Sequence, residues 1–329
     1  AVNRCRRSLE AVADLTKYGT REAVADLDDV RTALGYKAIN LFALSYGTTV
    51  ALRYLESHPT RVRAAVLMGV SPPSATPPKM HALAGERALN LLIDRCQTDL
   101  ACSNSFDPGE DIERVRTEVG KLEGAPPLEI FFEKLRSLMY SPTGARMVPY
   151  ILSRAATGDL EPFYQATRPR GPSPYADGMF LSVICSEGMA LMDLAAARQS
   201  ANATLFGDYR LRRQAEACSN WPVSPLDDDF LDPVKSDIPL LFISGEWDPV
   251  TPPELADQVV SNLTNAKHVI IPGSGHIFDG MSGIETCLDP LVLGFFETAT
   301  FATFDDSCVA KMEPPEFLIN LRDAVDIEN

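Results

Sequence analysis

Residues 43–47 read Ala-Leu-Ser-Tyr-Gly, a serine with a small residue two positions away on each side. That pattern suits a turn from strand to helix so sharp that larger neighbours would clash. Such a turn lifts the serine hydroxyl above the end of the strand. The helix that follows points its positive end at the same spot, which favours an anion there. The backbone N–H of Tyr46 can then bind the oxyanion of a tetrahedral intermediate. The chemistry on offer is nucleophilic acyl transfer by Ser45. The plainer reading is a serine that ends a strand and caps a helix.

A serine hydroxyl is a weak nucleophile without a base. The chain has four histidines, so elimination is practical. His58 stands at a helix end before Pro59 and reads as structural. His81 follows a proline-rich stretch and is expected outside the core. His268 lies within a strand. His276, in Gly-Ser-Gly-His just past that strand, has the freedom to reach Ser45. Asp248, in Ser-Gly-Glu-Trp-Asp-Pro, lies just beyond the preceding strand and is expected to orient the imidazole. Glu246 is its nearest rival but sits closer to the strand, and a helix-capping role before Pro249 is the plainer alternative.

These residues need elements to hold them. Apolar spacing predicts a helix over 5–34 ended by Gly35, a buried strand at Ile39–Leu44, a helix from about Thr48 to Ser57 and a strand at Ala64–Met68. Near-continuous apolar strands alternating with helices imply an α/β fold with a mostly parallel sheet covered on both faces. After "SPPSATPPK" (71–79) the character changes, and residues 80–232 read as mostly helical, interrupted by "GAPP" and "RPRGPSPYADG". Strand-helix alternation resumes at 238–245, at a helix over 253–263 and at 267–273. The expected organisation is a core over 1–73, a helical cap or lid over 74–232 and the rest of the core over 233–329. An insertion there would lie over the carboxyl ends of the strands, where ligands bind in such folds.

The chain has 329 residues, 45% hydrophobic and 23% charged, ample for a buried core. A net charge of −15 argues against a nucleic-acid partner, because phosphate binding needs a basic face. No apolar run approaches the ~18 residues that span a bilayer. None of the seven cysteines forms the CxxC spacing of a zinc site, so no metal is expected, and no motif suggests an organic cofactor. Disulfides and an oxidising, secreted or periplasmic setting fit the count better, and the odd number leaves one thiol over. Two Asn-x-Ser/Thr triplets, at Asn202 and Asn262, are weak signals of glycosylation.

The chain order Ser45, Asp248, His276 is the order found in α/β hydrolases. The segment "YGTREAVADLDDVRTALGYKAINLFALSYGT" resembles the approach to the nucleophile in prolyl aminopeptidase and tripeptidyl aminopeptidase-like α/β hydrolases. "IPLLFISGEWDPVTPPELADQVVSNLTNAKHVIIPGSGH" resembles the part of those enzymes that carries acid and base. The tail "CLDPLVLGFFETATFATFDDSCVAKMEPPEF" is similar to theirs as well. The resemblance implies a serine peptidase acting at free amino termini, or an esterase using the same triad, under a helical cap. It implies the pairs Cys96–Cys102, Cys185–Cys218 and Cys287–Cys308, with Cys5 alone. It makes Glu187 a candidate for holding a substrate ammonium group, against the plainer reading of a solvated helix glutamate. Family members also carry an earlier segment that supplies the first strands and a His-Gly-Gly-Pro-Gly loop, which provides a second oxyanion donor. Neither is found before Ser45, so a separate or missing amino-terminal chain is expected to complete the sheet. A non-catalytic fragment or subunit is the alternative of another class.

Overall fold

The computed structural model describes residues 2–169, 171 and 175–320, so the "RPRGPSPYADG" loop lies partly outside the described residues. Four strands form one parallel sheet: β1 (Ile39–Leu44), β2 (Val62–Met68), β3 (Leu240–Gly245) and β4 (Ala266–Ile271), in the spatial order β1-β2-β3-β4. The register runs Leu44 beside Met68, Met68 beside Ile243, and Ile243 beside Val269, so the strand ends that carry chemistry line up.

Successive strand residues point to opposite faces, and β2 shows it. Ala65 and Leu67 enter one apolar cluster, with Leu52 and Leu55 of α3 (Tyr46–Ser57), Val24 of α2 (Thr20–Ala33) and Val259 of the helix Pro253–Val260. Ala64 and Val66 enter another, with Leu291 and Phe295 of the helix Asp289–Thr298. This two-sided burial explains why the strands read as unbroken apolar runs.

Every described element between β2 and β3 is helical. These helices share a core of their own, built on Leu89, Phe131, Phe132, Leu135, Ile151 and Phe163, and Trp247 from the β3 end enters it. The three disulfides are Cys96–Cys102, Cys185–Cys218 and Cys287–Cys308, and Cys5 is free and exposed. Among the described residues no single helix is long and apolar enough to cross a membrane.

Several boundaries differ from the sequence reading. The single helix expected over 5–34 is two, α1 (Val2–Glu10) and α2, separated by a short 3-10 turn at Leu15–Lys17. Asp14 caps that turn through Thr16 N–H, and Gly19 stands in extended conformation before Thr20. Periodicity alone misses such a break, because apolar residues continue across it. Helix α3 starts at Tyr46, two residues earlier than expected, and β2 starts at Val62.

β1 is an edge strand, and its side chains show it. Phe42 is 61% exposed and Leu44 41%. Val30 and Leu34 of α2 and Tyr36 beyond it are exposed as well.

Candidate active site

Ser45 adopts φ 56°, ψ −127° between β1 and α3. A positive φ is strained for a residue with a Cβ, and strain of this kind persists where the surrounding structure enforces it. Ser45 N–H is anchored to the Met68 carbonyl at 3.0 Å, and the Ser45 carbonyl accepts from Thr48 N–H and Thr48 Oγ1. The serine side chain makes no capping bond to α3. Ser45 occupies the N-cap position of α3, but its hydroxyl is not spent on capping that helix. The amides of Tyr46 and Gly47 open α3, where N–H groups have no partner within the helix.

Asp248 follows β3 and is fully buried. Its Oδ1 accepts the N–H groups of Val250 and Thr251, each at 2.8 Å. Its Oδ2 accepts the Thr251 hydroxyl at 2.8 Å and lies 2.7 Å from His276 Nδ1. With the Thr251 proton given to Asp248, Nδ1 of His276 carries its own proton toward the carboxylate, which leaves Nε2 as the basic nitrogen.

The imidazole is seated against Gly69, the residue after β2. A Cβ built on Gly69 would come 2.9 Å from His276 Cε1 and 3.0 Å from Nδ1, and φ there is +56°. Glycine is needed at that point both for the close approach and for the backbone. Ser45 is bonded to Met68, the neighbour of Gly69, so serine and histidine flank the ends of adjacent strands. Gly275, just before the histidine, packs on the carbonyls of Met139 and Tyr140, leaving no room for a side chain.

Glu246, the rival acid, serves elsewhere. Its carboxylate accepts Gly273 N–H at 2.7 Å and secures the base of the histidine loop.

The helical insertion also supports the base, through residues the sequence reading did not single out. Ile277 N–H donates to the Tyr140 carbonyl at 2.8 Å, and the Tyr140 ring meets His276 edge-on at 5.4 Å. Arg136, fully buried, donates to Glu133 at 2.9 and 2.7 Å, to the Tyr140 hydroxyl and to the Pro249 carbonyl beside Asp248. His81 was expected outside the core. It opens the helix His81–Thr98 of the insertion, away from the sheet, but its Nδ1 is buried without a hydrogen-bond partner, and burial together with the Arg136 and Arg210 charges holds its pKa well below the usual value, so the ring is neutral. Nothing in a proline-rich context signals such burial.

His58 packs edge-on against Tyr54, as a structural histidine would. His268 is more interesting than a strand residue need be. Its Nδ1 lies 2.8 Å from Asp257 and its Nε2 2.8 Å from Ser244, a second Ser-His-Asp chain in the body of the sheet.

Glu187 is buried, not solvated, on a π-helical turn at Ile184–Met189. It accepts from Thr20 N–H and from the Thr20 hydroxyl, both at 2.6 Å. Burial raises its pKa despite these bonds, and Glu22 raises it further. Among the described residues no group of three or more His, Cys, Asp or Glu is gathered as a metal would require.

Residues 4–92 match the family described as alpha/beta hydrolase fold, and residues 202–308 match the family described as TAP-like protein. The "Putative hydrolase YuaR" of Escherichia coli K12 is 25% identical over 89% of this chain and 62% of its own length. "Serine protease Hip1" of Mycobacterium tuberculosis H37Rv is 24% identical over 85% of this chain and 60% of its length. "Proline iminopeptidase" of Xylella fastidiosa 9a5c is 40% identical over 58 residues, 18% of each chain. The chain thus spans about three fifths of the length of the two long relatives.

Proposed function

The chain is an α/β hydrolase related to the TAP-like serine peptidases, and on that premise we propose that it provides the triad and cap of an exopeptidase acting at peptide amino termini. One observation carries this reading: the strained Ser45, its hydroxyl free of any capping bond, is anchored to Met68 at the end of β2, and the next residue, Gly69, seats an imidazole whose Nδ1 is fixed on a buried carboxylate. Ser45 Oγ attacks the substrate carbonyl while His276 Nε2 takes its proton. The new oxyanion is received by Tyr46 N–H. His276 then returns the proton to the leaving amine, releasing it and leaving an acyl-enzyme. Water, activated by the same nitrogen, attacks that ester and frees Ser45. Asp248 stays ionised throughout and stabilises the imidazolium.

Glu187 is the counter-charge we assign to a substrate's α-ammonium. Each of its oxygens already accepts from Thr20 and keeps a second lone pair for another donor. The three disulfides fit an oxidising, extracytoplasmic setting, and we place the protein in the periplasm or outside the cell.

The partner we propose is the segment or separate chain that pairs with the open edge of β1. Exposed Phe42, Leu44, Val30 and Leu34 supply the apolar surface it would cover. Exposed edges and patches of this kind are costly when left bare. Cys5 is a candidate for its covalent attachment.

The test compares a fluorogenic amide at a free peptide amino terminus with the same peptide acetylated, and with a simple carboxylic ester. Release from the free peptide alone supports the exopeptidase. Equal turnover of the ester and the blocked peptide would replace it with an esterase. No covalent adduct with a fluorophosphonate would replace it with a non-catalytic subunit.

A further inference from the structure

The cap touches the nucleophile turn through a chain of three hydroxyl and carboxyl groups. Thr20 is buried at the start of α2, and its hydroxyl lies 3.0 Å from the Tyr46 hydroxyl and 2.6 Å from Glu187 Oε2. Tyr46 follows the serine directly and carries the oxyanion-binding amide.

The direction of these bonds is set by counting protons. The Thr20 hydroxyl has one, and at 2.6 Å from a carboxylate it is given to Glu187. Tyr46 must then donate to Thr20. The chain runs Tyr46 O–H to Thr20 Oγ1, then Thr20 O–H to Glu187, and a single carboxylate terminates it. A second bond, Thr20 N–H to Glu187 Oε1 at 2.6 Å, fixes the first turn of α2 to the same group.

The carboxylate itself is held in place. It sits on a π-helical turn, a geometry that inserts one residue and re-aims its neighbours. Cys185, two residues earlier, is bonded to Cys218. Ser186, one residue earlier, accepts Ser224 N–H at 2.8 Å, and the Ser224 hydroxyl donates to the Thr16 carbonyl at 2.6 Å. The π turn is thus tied to the helix Tyr209–Cys218 by the disulfide and, through Ser224, to the segment that leads into α2.

We propose that Glu187 is a positioning residue for the oxyanion site: through Thr20 it fixes the Tyr46 side chain, and with it the first amides of α3. Seating of the cap and the geometry of the nucleophile turn are then one event. This rests on the serine-hydrolase reading of Ser45, and it goes beyond the ammonium role given to Glu187, because it predicts an effect on substrates with no charge at all.

The experiment measures the second-order rate of fluorophosphonate labelling of the whole protein, an uncharged probe whose phosphoryl oxygen occupies the oxyanion site. Variants are Glu187→Gln, Thr20→Val, Thr20→Ser and Tyr46→Phe, each checked for an unchanged far-ultraviolet spectrum and assayed well below its melting temperature. The expected result is a loss of about tenfold for Thr20→Val, Tyr46→Phe and Glu187→Gln, in keeping with the sensitivity of catalysis to small misplacements. Thr20→Ser, which keeps the hydroxyl, should retain most of the rate. Equal labelling of wild type and Thr20→Val overturns the positioning role and leaves the hydrolase reading intact. A loss with Glu187→Gln but none with Tyr46→Phe overturns the relay too, since the carboxylate would then act by another route. A wild-type protein inert to the probe overturns the hydrolase reading and this inference together.

Discussion

Ser45, His276 and Asp248 lie where three strands end; Ser244, His268 and Asp257 lie across β3, β4 and the helix Pro253–Val260. Both sets contain the same three residue types, but they are joined differently: His276 lies 2.7 Å from Asp248 with no hydrogen bond to Ser45, while His268 lies 2.8 Å from each of its partners. The inner bonds of the second set are as good as any in the first. What separates them is backbone and setting. Ser45 stands at positive φ before a helix whose first amides have no internal partner, and Asp248 is fully buried with four donors on its carboxylate. Ser244 sits in a regular strand with no exposed surface, paired with Ile270 of β4. No substrate carbonyl can stand over it, and no helix end is aimed at it. Side-chain identity makes a triad possible; a strained turn at a strand end makes one usable.

The largest expected effect separates the two serines. Ser45→Ala should abolish the covalent adduct and lower turnover by a factor on the order of 10⁶, the cost of removing a serine nucleophile elsewhere. Ser244→Ala should leave the adduct and its rate unchanged. Intact masses after fluorophosphonate treatment decide it. An adduct that survives in Ser45→Ala and is lost in Ser244→Ala would invert the comparison.

The acids should differ almost as sharply. Asp248→Asn would leave the imidazole in the wrong tautomer, at a cost of about 10⁴ in kcat. Asp257, at the surface end of the second chain, should tolerate Asn with turnover within about twofold, because nothing catalytic depends on the His268 tautomer. A matched pair of kcat measurements is enough. A collapse of activity in Asp257→Asn would show that β3 transmits its geometry to Asp248.

Much of this was legible beforehand, and the reasons are local. The elbow is a five-residue pattern, and Asp248 and His276 follow strands whose apolar runs are easy to see. The second constellation was not legible. It needs the parallel register that sets His268 beside Phe242 and brings Ser244 within reach of its ring, and it needs a helix to lay Asp257 alongside. The burial of His81 Nδ1 was not legible for the same reason: its surroundings, Arg136 and Arg210, come from distant helices. The helix expected over 5–34 failed between Glu10 and Thr20, where the Asp14 cap and an extended Gly19 break a pattern that apolar spacing continues.

Glu187 offers a smaller effect, read as stability against pH. Burial raises its pKa above the ordinary 4.5, with Glu22 adding to the rise and the Thr20 bonds opposing it; Tyr46 is the other titratable group facing it. A raised value means that the folded protein holds this proton more tightly than the unfolded chain. The stabilising contribution is complete below the unfolded value and is lost as pH rises through the folded one. Glu187→Gln carries no such charge. The stability difference, wild type minus variant, should therefore fall as the pH is raised from about 4 to about 7. Denaturant melts at the two pH values measure it, and parallel curves would mean that the carboxylate is not desolvated.

The smallest effect completes the contrast. If Ser244 is structural, Ser244→Ala must cost something other than activity. The hydroxyl is the partner of His268 Nε2, and its removal leaves that nitrogen in a partly buried site without a bond. Losing one such bond typically costs about 1 kcal/mol, which for a chain of this size lowers the melting temperature by about 2 °C. Double removal with Asp257→Asn should cost less than the sum of the two single changes, because each already weakens the same imidazole's position. A strictly additive pair would mean that the two bonds act separately. Non-additivity with unchanged turnover would mark the second chain as a brace between β3, β4 and the helix beside them, built from the residues of a triad and placed where only stability can use them.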